Sequence, residues 1–251
     1  MPTIAAVYFS ATGNTKKNAL ALAQGVAEAL ASHAVEDIDL TNQPSPAARE
    51  FSADDFVIFG MPVYAGRVPS AVKGRFSAFR GNGTPCLVAV SYGNRHYDDA
   101  LLEMARMAEE QGFVVKGGAA LIGRHTFGDI QMDRPDAADL EACRAFGEQA
   151  VRRDGETPAI PGAFPHREGG SGGKFRPLTA DTCVNCGLCA RKCPMQAIGE
   201  DFRTVSEACI SCFRCIRNCP VGAKNMDVPA YNDFAAMFTE KLKARRENEF
   251  F

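Results

Sequence analysis

The sequence has no tryptophan, four histidines and little net charge. Across 251 residues, 28 basic residues stand against 30 acidic ones, which gives a formal net charge of −2. Proteins that bind nucleic acid or an anionic membrane through charge carry a basic excess, so we expect neither partner. Apolar runs such as residues 56–59 are too short to span a bilayer. The N-terminus lacks the basic and apolar regions of a secretory signal, and we therefore expect a cytoplasmic protein.

Cysteine, in contrast, is concentrated in one short segment. Eight of the ten cysteines lie within residues 183–219, whereas Cys86 and Cys143 stand alone. In a secreted protein this density would indicate disulfides, but in a reducing compartment it indicates bound metal. Cys86 and Cys143 have no C-x-x-C partner, so we expect them to be small core residues without a redox role.

The composition divides the chain into four parts. Residues 1–153 alternate short apolar strands with helical patterns, which predicts a five-stranded parallel sheet covered by helices on both faces. Residues 154–177 hold ten glycines or prolines, a composition typical of a flexible linker. The cysteine module occupies residues 178–228. Residues 229–251 space apolar side chains as a helix does, which predicts a C-terminal docking helix near the N-terminal domain.

The cysteine module is an internal repeat with a period of 26 residues. Each half reads C-x2-C-x2-C-x3-C-P, first at 183–194 and again at 209–220. Three cysteines spaced in this way wrap three corners of an iron–sulfur cube, and in this bacterial pattern the fourth ligates the other cluster. The expected ligands of the first [4Fe-4S] cluster are Cys183, Cys186, Cys189 and Cys219. The expected ligands of the second are Cys209, Cys212, Cys215 and Cys193.

A pair of zinc sites is the alternative interpretation of these cysteines. Zinc sites favour two C-x2-C pairs that are a dozen or more residues apart, and a third cysteine followed by C-P does not fit that plan. The module resembles the bacterial two-cluster ferredoxins over its full length, which implies a small α+β domain. The cluster-binding loops contain four basic residues, Arg191, Lys192, Arg214 and Arg217. These charges either stabilise the reduced clusters or bind an acidic surface. The alternative is that they are solvated charges without such a role.

A hydroxyl-rich turn, residues 10–15 with the sequence Ser-Ala-Thr-Gly-Asn-Thr, joins the first predicted strand to the first predicted helix. The free N–H groups at a helix N-terminus favour a phosphate, and the hydroxyls add donors. The turn is neither a Walker loop nor a G-x-G-x-x-G dinucleotide fingerprint. A helix cap with a purely structural role is the alternative.

Preceded by a strand and followed by further β/α units, this turn resembles the phosphate loop of the flavodoxin family, which reads [ST]-x-T-G-x-T. The resemblance covers residues 3–150 and implies a doubly wound α/β fold with strand order 2-1-3-4-5 and FMN at the switch point. The residues implied to bind the phosphate are Ser10, Thr12, Gly13, Asn14 and Thr15. The residues implied to flank the flavin ring are Pro62, Val63, Tyr64, Ala65, Gly66, Ser91, Tyr92, Gly93, Asn94, Tyr97 and Asp98.

Two features depart from that family. The tryptophan that stacks on the flavin in many flavodoxins is missing, and Arg67 and Arg95 occupy loops where many flavodoxins keep negative charge. A cation near the flavin would raise the potential of its second reduction, whereas a surface position is the alternative for both arginines. His125 follows the last predicted strand at the cofactor end of the sheet, where it either approaches the ring or is a satisfied loop histidine.

The whole chain thus resembles the flavodoxin–ferredoxin fusion proteins of anaerobic bacteria. The resemblance implies an electron-transfer iron–sulfur flavoprotein in which two [4Fe-4S] clusters pass single electrons to or from FMN, a one- or two-electron carrier. A redox partner protein is the expected donor or acceptor. The alternatives are an FMN-dependent reductase of a small-molecule acceptor and a redox sensor. The sequence contains no acid–base pair or nucleophile motif that would identify catalytic residues.

Overall fold

The computed structural model describes residues 2–31, 34–153, 158–173 and 175–251. The strands, in chain order, are β1 (Ile4–Tyr8), β2 (Val35–Asp39), β3 (Arg49–Phe51), β4 (Phe56–Pro62), β5 (Phe79–Gly81), β6 (Thr84–Tyr92), β7 (Phe113–Ile122), β8 (Leu178–Thr179), β9 (Lys224–Asn225) and β10 (Glu249–Phe250). The helices are α1 (Asn14–Ala29), α2 (Ala100–Glu110), α3 (Ala137–Val151), α4 (Leu188–Arg191), α5 (Arg214–Arg217) and α6 (Pro229–Lys241), with a 3-10 helix at Ser70–Ala78.

The main sheet has the order β10-β7-β6-β4-β1-β2. All of its strands are parallel except β10, which pairs antiparallel with β7. When β10 is left out and the other five strands are renumbered from 1 to 5 in chain order, the sheet has the doubly wound order 2-1-3-4-5. The predicted α/β fold class is confirmed. The pairing of β3 with β5 beside this sheet was not predicted, because both strands are only three residues long.

Helices cover both faces of the sheet. On one face, α1 and α3 pack together and bury Leu22 and Phe146, while α2 buries Leu101 on the other. Cys86 and Cys143 are fully buried in these two apolar layers, as expected for core residues. Strand β1 is buried at every position, which is typical of a parallel sheet covered on both sides. Among the helices of the described ranges, none has the length and apolar character that a membrane crossing requires.

The cysteine module forms a small α+β unit. Strands β8 and β9 pair antiparallel, so that the two ends of the module meet. The helices α4 and α5 are single turns that begin one residue before the third cysteine of each half, and they contact each other. The internal repeat of the sequence is therefore a repeat of local structure.

The segment predicted as a flexible linker follows the surface of the N-terminal domain. Gly170 donates a hydrogen bond to the Tyr64 carbonyl and accepts one from Ser70, both at 3.0 Å. The Asp99 carboxylate accepts hydrogen bonds from the backbone of Ala163 and residue 167, at 2.9 and 2.7 Å. The glycine-rich composition predicted a segment without long helices or strands, and the described residues of the segment have none. The composition did not reveal these fixed contacts. Residues 154–157 and 174 of the predicted linker lie outside the described residues.

The predicted C-terminal helix ends early. Helix α6 stops at Lys241, and the chain then turns back to add β10 to the edge of β7. The Asn248 side chain accepts a hydrogen bond from Ile122 N at 2.8 Å and donates one to Asp139 Oδ1 at 3.0 Å. An unpaired strand edge offers backbone hydrogen bonds that outweigh the local helical preference of a short tail. Spacing of apolar residues alone therefore placed the helix too far toward the C-terminus.

We expect Asn248→Ala to destabilise the full chain by about 1–3 kcal/mol, because a buried backbone N–H and a buried carboxylate each lose a partner. The measurement is the midpoint of thermal unfolding at a fixed scan rate without oxygen. The control is Asn232→Ala, which removes an exposed hydrogen bond to Asp227 and should leave the midpoint close to wild type. Equal effects of the two substitutions would contradict an anchoring role for Asn248.

Candidate functional site

A cavity of about 410 Å³ lies at the carboxyl ends of the parallel strands. The chain leaves β1 for β2 on one side and crosses to β4 on the other, so the boundary between β1 and β4 is the topological switch point. The volume is that of a site for one cofactor-sized ligand. The predicted residues that line it are Ser10, Thr12, Asn14, Thr15, Pro62, Val63, Tyr64, Ala65, Gly66, Ser91, Tyr92 and Gly93.

The predicted phosphate loop forms the N-terminal end of α1. Gly13 caps the helix with a φ of 96°, in the left-handed region that favours glycine. Ser10 Oγ accepts a hydrogen bond from Lys16 N at 3.0 Å, so this hydroxyl satisfies one of the free N–H groups of the first turn. The Asn14 side chain donates to the Arg124 carbonyl at 2.9 Å. The loop is therefore tied to the segment that follows β7.

The two loops expected beside the ring follow β4 and β6 and are held together. Val63 N donates to the Ser91 carbonyl at 2.9 Å. An added Cβ at Gly93 would lie 2.0 Å from Cδ2 of His125. The second loop can thus approach the segment after β7 only because position 93 has no side chain.

Two residues expected beside the ring lie outside the cavity lining and hold the C-terminal tail instead. Asn94 is buried, and its Nδ2 donates to the carbonyls of Leu242 and Ala244 at 2.8 and 2.7 Å. The Tyr97 hydroxyl donates to Glu249 Oε2 at 3.0 Å. Both residues lie in the loop after β6, as expected, but no sequence pattern indicated that the tail returns to this edge of the sheet.

The charged residues of these loops have different environments. Arg95 lines the cavity, whereas Asp98 lies outside its lining and forms ion pairs with Arg95 and Arg167. Arg67 forms a two-pronged ion pair with buried Glu103, with N–O distances of 2.7 and 2.8 Å. Burial by itself would raise the pKa of Glu103, but hydrogen bonds from Arg67 and neighbouring groups hold it below its ordinary value. Of the two arginines, only Arg95 reaches the cavity.

Four further elements complete the cavity wall: the segment after β7, the glycine-rich segment, the cysteine module and α6. Their lining residues are Arg124, His125, Thr126, Phe127, Ser171, Gly172, Gly173, Ile210, Ser211, Phe234 and Phe238. Of these elements, the sequence had indicated His125, the glycine-rich segment and the C-terminal helix, but not that they meet at a cavity. The other lining residues carry no motif, since they reach the cavity through tertiary packing.

Aromatic rings join α6 to the other elements of this wall. The Phe127 ring centroid lies 5.5 Å from that of Phe175, 5.2 Å from Phe213 and 6.2 Å from Tyr231. The Phe238 ring lies 5.1 Å from the His125 imidazole. Edge-to-face contacts of this kind contribute about 0.5–1.5 kcal/mol each beyond burial. The wall is thus one packed unit that contains segments of both halves of the chain.

His125 lies in this wall in the neutral state. Its Nδ1 accepts a hydrogen bond from Phe127 N at 2.8 Å. Burial, helped by the charges of Arg217 and Arg95, lowers the pKa of His125 to about 4. The same nitrogen lies 3.0 Å from the Phe127 carbonyl, so His125 contacts the Phe127 backbone through Nδ1.

The eight clustered cysteines form two sets, and each set surrounds a small cavity. Cys193 lies with Cys209, Cys212 and Cys215 around the first cavity. Around the second, the residues are Cys183, Cys186, Cys189 and Cys219. The fourth cysteine of each half therefore lies with the three of the other half, which is the grouping that the cluster-ligand prediction requires.

The loops around these two cavities repeat each other in backbone conformation. Asn185 and Ser211, which are 26 residues apart, have φ values of 54° and 53°. Gly187 and Phe213, also one period apart, have φ values of 72° and 55°. Left-handed residues of this kind turn successive N–H groups toward a common centre and form an anion-binding nest. Such loops suit ligands that carry negative charge.

The cysteine module contacts the N-terminal domain through arginines. Arg75, which is 4% exposed, donates to the Pro194 carbonyl at 2.7 Å. Arg217 donates to the His125 carbonyl at 2.8 Å. Arg214 donates to backbone carbonyls of the phosphate loop. The two candidate sites are thus held beside each other.

The part of the chain that matches a known family coincides with the cysteine module of the fold. Residues 178–220 match the family model of a 4Fe-4S dicluster domain. The N-terminal domain has the doubly wound strand order of flavodoxins. These two findings support the predicted fusion of a flavodoxin-like fold with a dicluster ferredoxin domain.

Solved structures similar to the chain cover its N-terminal part. The flavodiiron core of Flv1 from Synechocystis sp. PCC6803 is 21% identical with a TM-score of 0.42, over 60% of this chain and 35% of that one. A flavodoxin from the domain Archaea is 18% identical (TM-score 0.39, 61% of this chain and 97% of that one). Flavodoxin 1 from Bacillus cereus is 19% identical (TM-score 0.40, 59% and 96%). This chain spans about a third of the flavodiiron core. No curated protein is detectably similar to it.

Replacement of both Thr12 and Thr15 by Val is expected to weaken FMN binding by about two orders of magnitude or more. The reason is the loss of two hydrogen bonds to a charged phosphate, at about 1.5–3 kcal/mol each and about 1.4 kcal/mol per decade. Titration of the apoprotein with FMN and with riboflavin measures the effect. Riboflavin has no phosphate and should bind the variant and the wild type alike, whereas equal losses for both ligands would mean that the loop only supports the fold.

The lowered pKa of His125 predicts a pH-dependent stability. The unfolded chain takes up a proton at this residue below about pH 6.5, whereas the folded chain does so only near pH 4. Stability is therefore lost as the pH falls through this window. Between about pH 7.5 and about pH 5.5 the wild type should lose about 1 kcal/mol more than His125→Gln.

The midpoints of anaerobic thermal unfolding of both proteins at the two pH values measure this difference. His125→Gln is the control for the wild type, because it keeps a polar side chain but has no imidazole to titrate. Parallel behaviour of the two proteins would contradict a buried neutral His125.

Proposed function

We propose that the protein is an electron-transfer iron–sulfur flavoprotein that passes electrons between FMN and two [4Fe-4S] clusters. When bound, FMN supplies one- and two-electron chemistry and the clusters supply one-electron chemistry. The residues present fit these groups. The cavity offers a helix N-terminus with hydroxyls at one end and two close loops at the other. The cysteine module offers two sets of four thiols in nest-forming loops.

The observation that carries the proposal is the position of Ile210. This residue lines the large cavity and also the cavity of the Cys193 set. Its neighbour Ser211 lines the first, while Cys209 and Cys212 line the second. Ile210 is therefore the residue that the linings of both candidate cofactor sites share. Electron tunnelling falls steeply with distance, and this adjacency favours transfer across Ile210.

The two cysteine sets differ in their access to solvent, which supports an order of transfer. We call the set that contains Cys193 and Cys212 the inner set, and the set that contains Cys186 the outer set. Cys212 is buried, and with Ile210 it belongs to the apolar core of the N-terminal domain. Cys186 of the outer set is exposed, and its neighbour Val184 is 61% exposed. We propose that a redox partner protein exchanges electrons at the outer set, and that the inner set exchanges them with FMN.

The composition of the cavity wall favours this relay over a reductase of a small acceptor. A reductase needs space for its substrate beside the flavin. Here the cysteine module, the glycine-rich segment and α6 all contribute to the wall. Part of the cavity wall is therefore formed by the module that carries the cysteine sets, as a relay requires.

Cofactor analysis of anaerobically purified protein tests the proposal. We expect about eight iron and eight sulfide per chain, from two four-iron clusters, together with one FMN. Zinc in place of iron would contradict the iron–sulfur assignment. Protein that keeps its iron but binds no added FMN would contradict the flavin assignment alone.

The grouping of the cysteines predicts which substitutions act on the same cluster. Cys193→Ala should remove the cluster that Cys212→Ala removes, and Cys219→Ala the one that Cys186→Ala removes. The electron paramagnetic resonance spectra of the reduced proteins would show which of two signals is lost. Reduction of FMN through the clusters should slow in all four variants. If Cys193→Ala and Cys186→Ala lose the same signal, the crossed ligation is wrong.

A further inference from the structure

The two halves of the cysteine repeat differ at a position that contacts the N-terminal domain. Arg214, between the second and third cysteines of the second half, corresponds to Leu188 in the first half. Both begin a single-turn helix, and each helix lies beside one cysteine set. Since the first half has leucine here, an arginine is not required to form such a loop. Its presence in the second half therefore needs another explanation.

A second pair of repeat positions shows the same difference in use. Arg191 and Arg217 are one period apart. Arg191 donates to the carbonyl of Cys186 in its own loop, at 2.9 Å. Arg217 instead donates to the His125 carbonyl in the N-terminal domain. The arginines of the second half thus contact residues that line the large cavity.

The contact of Arg214 is with the phosphate loop itself. Its Nη1 donates to the Ser10 carbonyl at 3.2 Å and to the Ala11 carbonyl at 2.9 Å. Both acceptor residues line the large cavity, whereas Arg214 lines the cavity of the inner cysteine set. The guanidinium therefore connects the two sites through the backbone.

A carbonyl fixed in this way also fixes the next amide. The peptide unit is planar and trans, so the C=O of one residue and the N–H of the next point in opposite directions. Holding the carbonyls of Ser10 and Ala11 toward Arg214 orients the N–H groups of Ala11 and Thr12 away from it. In a loop that binds phosphate, such N–H groups are the donors.

We propose that Arg214 is a positioning residue for the FMN phosphate, so that the cysteine module helps to form the phosphate site of the other domain. The inference rests on the proposed FMN site. It extends that proposal because it makes flavin binding depend on a residue between two cluster ligands. By linkage, FMN binding and docking of the module then stabilise each other to the same extent.

The test compares Arg214→Gln, Arg214→Lys and Arg203→Gln with the wild type, all as full chains prepared without oxygen. Arg203 is the control, because it is an arginine of the same module that pairs with Asp181 at 3.4 Å on the exposed side. The dissociation constants of FMN and of riboflavin are measured for each protein, together with its iron and sulfide content.

We expect Arg214→Gln to weaken FMN binding by about tenfold or more, the range of a lost hydrogen bond to a charged group. Riboflavin binding should stay close to wild type, because the contact acts on the phosphate end. Arg214→Lys keeps the charge but not the planar fork, and it should give a smaller loss for FMN alone. Arg203→Gln should bind both ligands as the wild type does.

Two results would overturn the inference while leaving the proposed function intact. One is wild-type FMN affinity in Arg214→Gln, and the other is an equal loss for FMN and riboflavin, which would mean that Arg214 only packs the domains together. If Arg214→Gln loses iron, Arg214→Lys decides by the same comparison. Loss of iron in both would make Arg214 a cluster-supporting residue and would also overturn the inference. Failure of the wild type to bind FMN would instead overturn the proposed function.

Discussion

Hydrogen bonds from arginine side chains to backbone carbonyls fix the cysteine module on the flavodoxin-like domain. Arg75, Arg214 and Arg217 each donate across this boundary. A buried guanidinium is unfavourable unless its N–H groups find acceptors, and burial lowers the pKa of Arg75. Because the acceptors are carbonyls of the backbone, these contacts fix the position of the cysteine module and also satisfy the N–H groups of the arginines. The distance between the two candidate sites follows from these contacts and does not require a rigid linker.

The boundary also explains where the internal repeat of the module fails. Position 187 is glycine with a left-handed φ, and the equivalent position 213 keeps that conformation although it is phenylalanine. A left-handed bulky residue costs of order 1–3 kcal/mol, which must be offset elsewhere. The Phe213 ring packs against Phe127 at 5.2 Å and Tyr231 at 5.6 Å. In the second half of the repeat, the unfavourable backbone conformation of Phe213 is thus offset by ring contacts with the other domain and with α6.

The parts of the molecule that were predictable are those with a local physical signature. Apolar strands between helical patterns predicted the fold class, the flavodoxin resemblance implied the strand order, and the repeated cysteine spacing predicted the two cysteine sets. The phosphate loop stays a hypothesis, because hydroxyls at a helix start are also common structural caps. The contact of Asn94 has no such local signature. Its loop is at the cavity, but its amide binds a tail segment about 150 residues away, and no local pattern records that contact.

The C-terminal tail links the outer edge of the sheet to the wall of the large cavity. Strand β10 pairs with β7, Asn94 holds the turn before it, and the rings of Phe234 and Phe238 on α6 line the cavity. Helix α6 is therefore anchored by the sheet on one side and packs on the cysteine module through Tyr231. Because segments of the N-terminal domain, the module and the tail all contribute to one wall, the cavity is a property of the assembled chain.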